Sequence, residues 1–371
     1  MIGSLIALAA AALQSAAAAP PTALAGVWEG TVGDLPVRAC FVERDWGAYG
    51  AYYYQSRLQL IGLEEAVAGR RDAFNERAQS GGSVPVWHID RGSETLGGRW
   101  TNGGRTLPLR LHRIAGAGGE EGACASLAFH QPRLEGLTTT SSRATLDGTA
   151  YTKLTLDNRG RFGIAVQSFA LDGDSAAVRR INATLGEPLS GSPPRWFECV
   201  TNSLSQSPYE GEESETLEPA MISRRWLSVA SHADWSCGGA HPDSSNVYRL
   251  FDLGSGAEID LLDWLNATAV KRETFEGSDE VAKTLEPAFR TFILANWHPA
   301  PDAAECDEVV RGQDYWNVGL RRDGLVFTPS LPHVVQACGE EFRVSFDRIR
   351  PWLTQEAAAN VDALRAERPA S

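Results

Sequence analysis

Hydrophobic and polar residues alternate over much of the first third of the chain. Runs such as residues 50–54 and 84–89 are rich in aromatic and β-branched residues and lie between turn-forming segments, a pattern typical of strands. A Gly-x-Trp strand, a turn and a second strand with Leu-Pro-aliphatic-Arg occur twice at identical offsets, over residues 26–38 and 98–110. We therefore predict a β-rich domain over residues 26–115, built as an antiparallel unit or a partly closed barrel.

The pattern changes after a glycine-rich stretch at residues 115–122, which predicts a linker. Residues 150–156 and 161–169 have the alternation of strands, whereas residues 174–185 carry apolar side chains at helical spacing behind a serine cap. The acidic segment 207–219 predicts an exposed connection or a frayed helix.

Strands predominate in the last part of the chain. We predict them over residues 221–233, 247–253, 315–320, 325–328, 333–337 and 342–346. A helix is predicted to begin at Ser278, and a short helical turn to follow Asp260. The fold class is therefore α+β, with an N-terminal antiparallel β unit and a two-part α+β module that contains a mixed or antiparallel sheet. The predicted units after the β-rich domain are residues 123–195, residues 221–355 and a helical tail at residues 356–371.

Charge and composition restrict the function. The chain has 34 Lys and Arg against 47 Asp and Glu, a formal net charge of −13, and no basic block. Nucleic-acid binding needs a basic surface, so we predict no nucleic-acid partner. After the N-terminal segment no stretch has the length of uninterrupted apolar sequence that a membrane span needs, so we expect no span in the mature chain.

The N-terminal segment predicts export. Residues 1–19 are apolar and then alanine-rich, no charged side chain precedes Glu29, and residues 17–19 fit an A-x-A cleavage site. This is the pattern of a signal peptide, although the usual basic residues before the apolar run are missing. We therefore predict a signal peptide at residues 1–19 and a periplasmic or secreted location in a bacterium.

The cysteines agree with export. The chain has six of them, widely spaced and without a CxxC pair: Cys40, Cys124, Cys199, Cys237, Cys306 and Cys338. An even number in an oxidising compartment predicts disulfides. Spacing alone does not determine the connectivity. We favour pairing between neighbours along the chain, which gives Cys40–Cys124, Cys199–Cys237 and Cys306–Cys338.

One short stretch, Cys237-Gly238-Gly239-Ala240-His241-Pro242, has the residue types of an active-site loop. A catalytic cysteine needs a thiolate and a nearby base, but an exported cysteine is expected to be oxidised. The histidines contain no HxH, HxxxH or HExxH pair, and no GxSxG motif is present. We therefore predict no catalytic, cofactor-binding or metal-binding residue. Gly238, Gly239, His241 and Pro242 are interpreted as a structural turn or a ligand contact, with the role of the histidine left open.

Several spaced blocks in the C-terminal part carry a family resemblance. They are Arg225-Trp-Leu-Ser-Val, residues 238–242, Tyr248-x-x-Phe-Asp252, Phe342-Arg-Val-Ser-Phe346 and Ile349-x-Pro351-x-Leu353. In this order they resemble a domain of unknown function in bacterial envelope proteins. The domain is shared by RsiV-like anti-sigma factors and PdaC-like peptidoglycan deacetylases. The resemblance covers residues 221–355, and residues 123–195 are similar to the companion domain that precedes it.

The resemblance implies an α+β fold and a binding role. The matched blocks belong to the non-catalytic part of those proteins, and the RsiV-like members bind lysozyme. We therefore expect an exported, non-enzymatic envelope protein without a cofactor that binds a lysozyme-like protein or a wall-derived ligand. The alternative is a hydrolase of cell-wall or polysaccharide material, because paired carboxylates leave no fixed spacing in a sequence.

Overall fold

The computed structural model describes residues 24–77, 83–92, 94–274, 280–295, 297–300 and 303–367. About 23% of the chain is helical and 45% lies in strands, in antiparallel and mixed sheets, so the predicted α+β class is confirmed. The predicted signal peptide, residues 1–19, lies outside the described residues. In the part of the chain that is described, no helix is long and apolar enough to cross a membrane.

The first eight strands form a closed antiparallel barrel. They are β1 (Gly26–Val32), β2 (Leu35–Arg44), β3 (Gly47–Tyr54), β4 (Ile61–Glu65), β5 (Ala73–Glu76), β6 (Val86–Arg91), β7 (Thr95–Asn102) and β8 (Arg105–Ala115). Each strand pairs with the next, and β1 also pairs with β8. The barrel is thus fully closed rather than partly closed, which leaves none of these strands with an unpaired edge.

The two sequence repeats are the hairpins β1–β2 and β7–β8, which lie side by side where the barrel closes. Gly26 and Gly98 occupy equivalent positions in them, and both have a positive φ. A Cβ atom on Gly98 would lie 2.0 Å from the carbonyl oxygen of His88. The recurring glycine therefore reflects a backbone position that only glycine can occupy.

Aromatic side chains fill the barrel. Trp28, Phe41, Tyr52, Phe74 and Trp87 are almost completely buried and belong to one apolar cluster. An eight-stranded barrel is just wide enough for its side chains to fill the interior. The bulk of these rings makes this barrel a packed core.

One carboxylate lies among these rings. Glu76 is only 8% exposed. Its Oε1 accepts hydrogen bonds from the Tyr52 hydroxyl at 2.6 Å, from Trp87 Nε1 at 3.0 Å and from Trp100 Nε1 at 2.6 Å. A buried charge is tolerated when hydrogen bonds replace its hydration, and these three donors come from three different strands.

A buried polar cluster joins the barrel to the rest of the chain. Helix α1 (Leu127–Leu134) packs against the barrel, and the Tyr53 hydroxyl donates to the carbonyl oxygen of Phe129 at 2.6 Å. The side chains of His130 and Arg133 are completely buried. Arg133 donates to the carbonyl oxygen of Leu58 at 3.0 Å, and its guanidinium stacks on Phe162.

A seven-stranded sheet follows the barrel. Its strands are β9 (Thr138–Leu146), β10 (Thr149–Asp157), β11 (Ile164–Leu171), β12 (Glu212–Ile222), β13 (Trp226–Ser236), β14 (Asp243–Asp252) and β15 (Glu258–Ile259). The order in the sheet is the order in the chain, and only β11 and β12 are parallel. Helices α2 (Ala176–Gly186) and α3 (Phe197–Leu204) connect that parallel pair. Strands from both predicted α+β units therefore lie in one sheet, and the division into domains stays a prediction.

Two predictions for this region need correction. The acidic segment 207–219 is not a loop or a helix over most of its length, because β12 begins at Glu212 and lies inside the sheet. The charge of Glu215 is accommodated there by Arg195, which contacts both carboxylate oxygens. Residues 221–233 are not one strand, because β12 ends at Ile222 and β13 begins at Trp226.

The predicted helix at residues 174–185 is confirmed as α2, with Ser175 as its N-cap.

The C-terminal part packs a smaller sheet on one face of the large one. Strands β16 (Val270–Thr274) and β17 (Val281–Leu285) form a hairpin, and β18 (Trp316–Leu320), β19 (Gly324–Pro329) and β20 (Phe342–Ser345) form the smaller sheet. Its residue Val326 packs with Ala230 and Tyr248 of the large sheet. One apolar cluster joins the smaller sheet to four helices, α4 (Pro287–Ile293), α5 (Cys306–Gly312), α6 (Phe346–Ile349) and α7 (Gln355–Ala366).

Two further predictions fail here. The helix predicted from Ser278 starts only at Pro287, because residues 281–285 pair with β16 as a strand; Ser278 itself lies outside the described residues. Proline is favoured in the first turn of a helix, where its missing N–H is not needed. The predicted strand at residues 333–337 is a 3-10 helix, His333–Cys338. The short turn after Asp260 is confirmed as a 3-10 helix that the Asp260 side chain caps.

Candidate functional site

The loop singled out in the sequence joins two long paired strands. β13 and β14 pair over ten residue pairs up to Trp235 and Asp243, and residues 237–242 connect them. Gly238 and Gly239 have φ values of 86° and 95°. A side chain would be strained in that left-handed conformation, so the turn itself accounts for both glycines.

The six cysteines form three disulfides, Cys40–Cys124, Cys199–Cys237 and Cys306–Cys338. These are the pairs that the sequence analysis favoured. The second one ties the loop to α3, so Cys237 is not a free thiol and cannot act as a nucleophile in this form. A carboxylate oxygen of Glu213 lies within 4.8 Å of both sulfur atoms. Because both sulfurs are oxidised, this group is not a metal site.

An open cleft of about 810 Å³ lies beside the loop. Its lining comes from the start of β11, β12 and β14, the end of β13, and the 3-10 helix of residues 333–338. The lining residues that bear polar or aromatic groups are Asn158, Phe162, Glu212, Glu213, Ser214, Asp234, Trp235, Ser236, Asp243, Ser244, His333 and Gln336. Pro242 also lines the cleft, whereas Gly238, Gly239 and His241 do not.

The cleft is acidic. Its described lining contains four carboxylate side chains, Glu212, Glu213, Asp234 and Asp243, and no Lys or Arg. Burial raises the pKa of Glu213, and the nearby Glu215 raises it further, while Arg195 opposes them. Such unbalanced negative charge attracts a cation or a basic surface.

A half-buried tryptophan adds apolar surface to this charge. Trp235 is the last residue of β13 to pair with β14, and it lines the cleft beside the carboxylates. Tryptophan is enriched among the residues that dominate protein interfaces. Carboxylates around an aromatic side chain suit a basic side chain with an apolar stem.

A second groove of about 640 Å³ lies on the opposite face of the same strands, beside α3. Arg195 makes a bidentate contact with Glu215, and Arg249 one with Glu258. The arginines of this groove are therefore already paired. Glu213 and Trp235 border both cavities, so they lie where the two faces meet at the end of the sheet.

His241 has a neighbour that the sequence analysis missed. Its ring centroid lies 6.4 Å from that of His333. Both side chains are exposed, and neither makes a side-chain hydrogen bond or ion pair to any residue that the structure describes. No local motif could reveal this pair, because His333 comes 92 residues after His241 and was predicted to lie in a strand.

Comparison with known proteins finds similar solved structures but no similar family model or curated sequence. No family model matches the chain, and no curated protein matches it. A DUF3298 family protein from Bacteroides fragilis is similar at 11% identity over 62% of this chain and 96% of its own, with a TM-score of 0.36. A DUF3298 family protein from Pseudomonas aeruginosa PAO1 is similar at 11% identity over 61% and 98%, with a TM-score of 0.34. The structural neighbours thus belong to an uncharacterised domain family, and at these TM-scores they support no functional argument.

Proposed function

We propose that this is an exported bacterial envelope protein that binds a basic, lysozyme-like protein in the acidic cleft. The observation that carries the proposal is the cleft lining, which has four carboxylates and, among the described residues, no Lys or Arg. A basic partner surface would neutralise these charges and place an apolar stem against Trp235.

Two other observations support this assignment. Three disulfides suit an oxidising compartment, either periplasmic or extracellular. The sequence blocks resemble those of RsiV-like proteins, whose family members bind lysozyme. The other expectation from the sequence is a wall-derived ligand, and a neutral glycan of this kind would gain little from four carboxylates.

The test is a calorimetric titration of the full chain with lysozyme as the basic probe. Asp234→Asn with Asp243→Asn removes two cleft charges. Glu308→Gln with Glu356→Gln removes two exposed charges elsewhere, on α5 and α7. At about 0.7 kcal/mol per exposed ion pair, the cleft variant should bind about tenfold more weakly.

The control pair separates a local effect from the general effect of net charge. Binding by Glu308→Gln with Glu356→Gln should stay close to wild type, and wild-type binding should weaken as salt is added. The proposal is contradicted by no lysozyme binding at low ionic strength. Equal weakening in the two variant pairs would also contradict it.

A hydrolase is the second candidate, and one observation favours it. Glu213 and Glu215 lie on the same face of β12 in different environments, since burial raises the pKa of Glu213 while Arg195 binds Glu215. A carboxyl group with a raised pKa is typical of a general acid. The two glutamates lie side by side on one strand, however, rather than across a cleft. Release of soluble products from purified peptidoglycan by wild type, lost in Glu213→Gln, would support hydrolysis over binding.

A further inference from the structure

We propose that His241 and His333 together bind a divalent transition-metal ion, such as Zn²⁺ or Cu²⁺, at the edge of the acidic cleft. The two imidazoles come from separate elements, the loop after β13 and the 3-10 helix His333–Cys338. The site goes beyond the proposed protein binding and does not depend on it.

The spacing of the two rings fits coordination of one ion. A metal–nitrogen bond of about 2.1 Å puts the centroids of two imidazoles about 5.3 Å apart on a tetrahedral ion and about 6.5 Å apart on opposite sides of an ion. The observed separation of 6.4 Å is close to the second arrangement, and a tetrahedral ion needs the rings about 1 Å closer together. Both residues are exposed, so small rotations about the side-chain bonds can adjust the angle at the metal.

The environment leaves both rings available and favours a cation. Neither imidazole makes a hydrogen bond or ion pair within the part of the chain that the structure describes. His333 lines the cleft together with Asp234 and Asp243, and no described Lys or Arg lines it. Nearby carboxylates lower the electrostatic potential at the rings, which attracts a doubly charged ion.

The protein supplies two ligands and leaves the others open. Among the described residues, only Cys199, Glu213 and Cys237 bring three ligand atoms within 4.8 Å of one another, and the two sulfurs are joined in a disulfide. Water would therefore complete the coordination of an ion held by His241 and His333. Imidazole ligands suit Zn²⁺, Ni²⁺ and Cu²⁺, and the affinity should be highest for Cu²⁺.

The site is tested by titrating tag-free full-length protein with ZnCl₂ and, separately, CuCl₂ in a calorimeter. The variants are His241→Asn, His333→Asn and the control His112→Asn, which changes an exposed histidine on β8. Wild type and His112→Asn should bind one Zn²⁺ saturably. Each of the other two variants should raise Kd at least tenfold, because each removes one of the two ligands.

Electron paramagnetic resonance of the Cu²⁺ form provides a second readout. Nitrogen hyperfine coupling from two imidazoles should appear in wild type and from one in each single variant. Circular dichroism checks that the variants fold, as expected for exposed side chains. Absence of saturable Zn²⁺ binding in wild type would overturn the proposal. So would binding that survives either His241→Asn or His333→Asn unchanged.

Discussion

The buried His130 should make the protein lose stability in mild acid. Its Nε2 donates to the carbonyl oxygen of Cys124 at 2.9 Å, and its Nδ1 accepts from Arg133 at 3.2 Å. These partners assign the neutral Nε2–H tautomer. Burial, reinforced by the positive charge of Arg133, holds the pKa of His130 well below 6.5. A second proton would face the guanidinium and abolish the hydrogen bond at Nδ1.

The size of the effect follows from linkage. The unfolded chain takes up a proton on this histidine below about pH 6.5, whereas the folded protein does not. The contribution of His130 to the free energy of unfolding is therefore at its maximum above that pH. It falls as the pH drops towards the pKa of His130 in the folded protein. The loss amounts to about 1.4 kcal/mol per pH unit, or about 2 kcal/mol between pH 8 and pH 5.

The assay compares denaturant unfolding of wild type and His130→Gln from pH 8 to pH 5, with disulfides intact. Glutamine stays neutral and retains an amide that can donate to Cys124, so its stability lacks this component of pH dependence. The free-energy difference between wild type and variant should shrink by about 2 kcal/mol over the range. Burial also raises the pKa of Glu210, which pairs with Arg133, but this carboxyl is present in both proteins.

The control is His112→Gln, a change at an exposed position on β8. Its stability curve should run parallel to that of wild type. Parallel curves of wild type and His130→Gln down to pH 5 would mean that His130 is not buried in the neutral form. The description of the buried polar cluster beside the barrel would then be wrong.

Two other changes test what holds the barrel and its junction together. Glu76→Gln should be nearly as stable as wild type in denaturant unfolding, because the amide oxygen can still accept hydrogen bonds. Glu76→Leu should lose several kcal/mol of unfolding free energy, because it leaves three donors unsatisfied. An equal loss in both variants would refute the role of Oε1. Replacing Cys40 and Cys124 together by alanine removes a link across 84 residues and should cost about 4 to 5 kcal/mol; an unchanged unfolding midpoint under non-reducing conditions would contradict this expectation.

Local patterns were enough to predict the elements whose form depends on nearby residues. The two Gly-x-Trp hairpins could be predicted because the alternation of their strands and the glycines of their turns are signals contained within a few residues. Gly238 and Gly239 in the loop 237–242 are also explained locally, because both have a positive φ. The cap at Ser175 and the apolar face behind it are also local, and α2 begins where they predict.

Two elements that depend on distant partners were predicted wrongly. The acidic segment before Pro219 has the composition of a loop. Its Glu215 lies in a strand because Arg195, in the turn before α3, neutralises the charge. Residues 333–337 have the β-branched composition of a strand, yet Val334 is 70% exposed and the segment ends at Cys338, which is bonded to Cys306 on α5. These interactions join residues far apart in the chain, and one sequence carries no local sign of them.

The candidate site shows the same limit. The loop at residues 237–242 could be singled out from its composition, but the cleft beside it also needs β12 and the 3-10 helix of His333. The first was predicted as a connection and the second as a strand. The acidic lining therefore became visible only when four carboxylates from three strands were brought to one place.

Hydrogen–deuterium exchange of the full chain with and without lysozyme tests the central claim most directly, because it locates the contact without assuming it. We expect slower exchange in peptides that cover residues 232–244 and 333–338, with little change in the barrel strands β4–β7. Protection confined to the barrel or to the exposed edge strand β9, with these two segments unchanged, would contradict the assignment of the acidic cleft as the binding site.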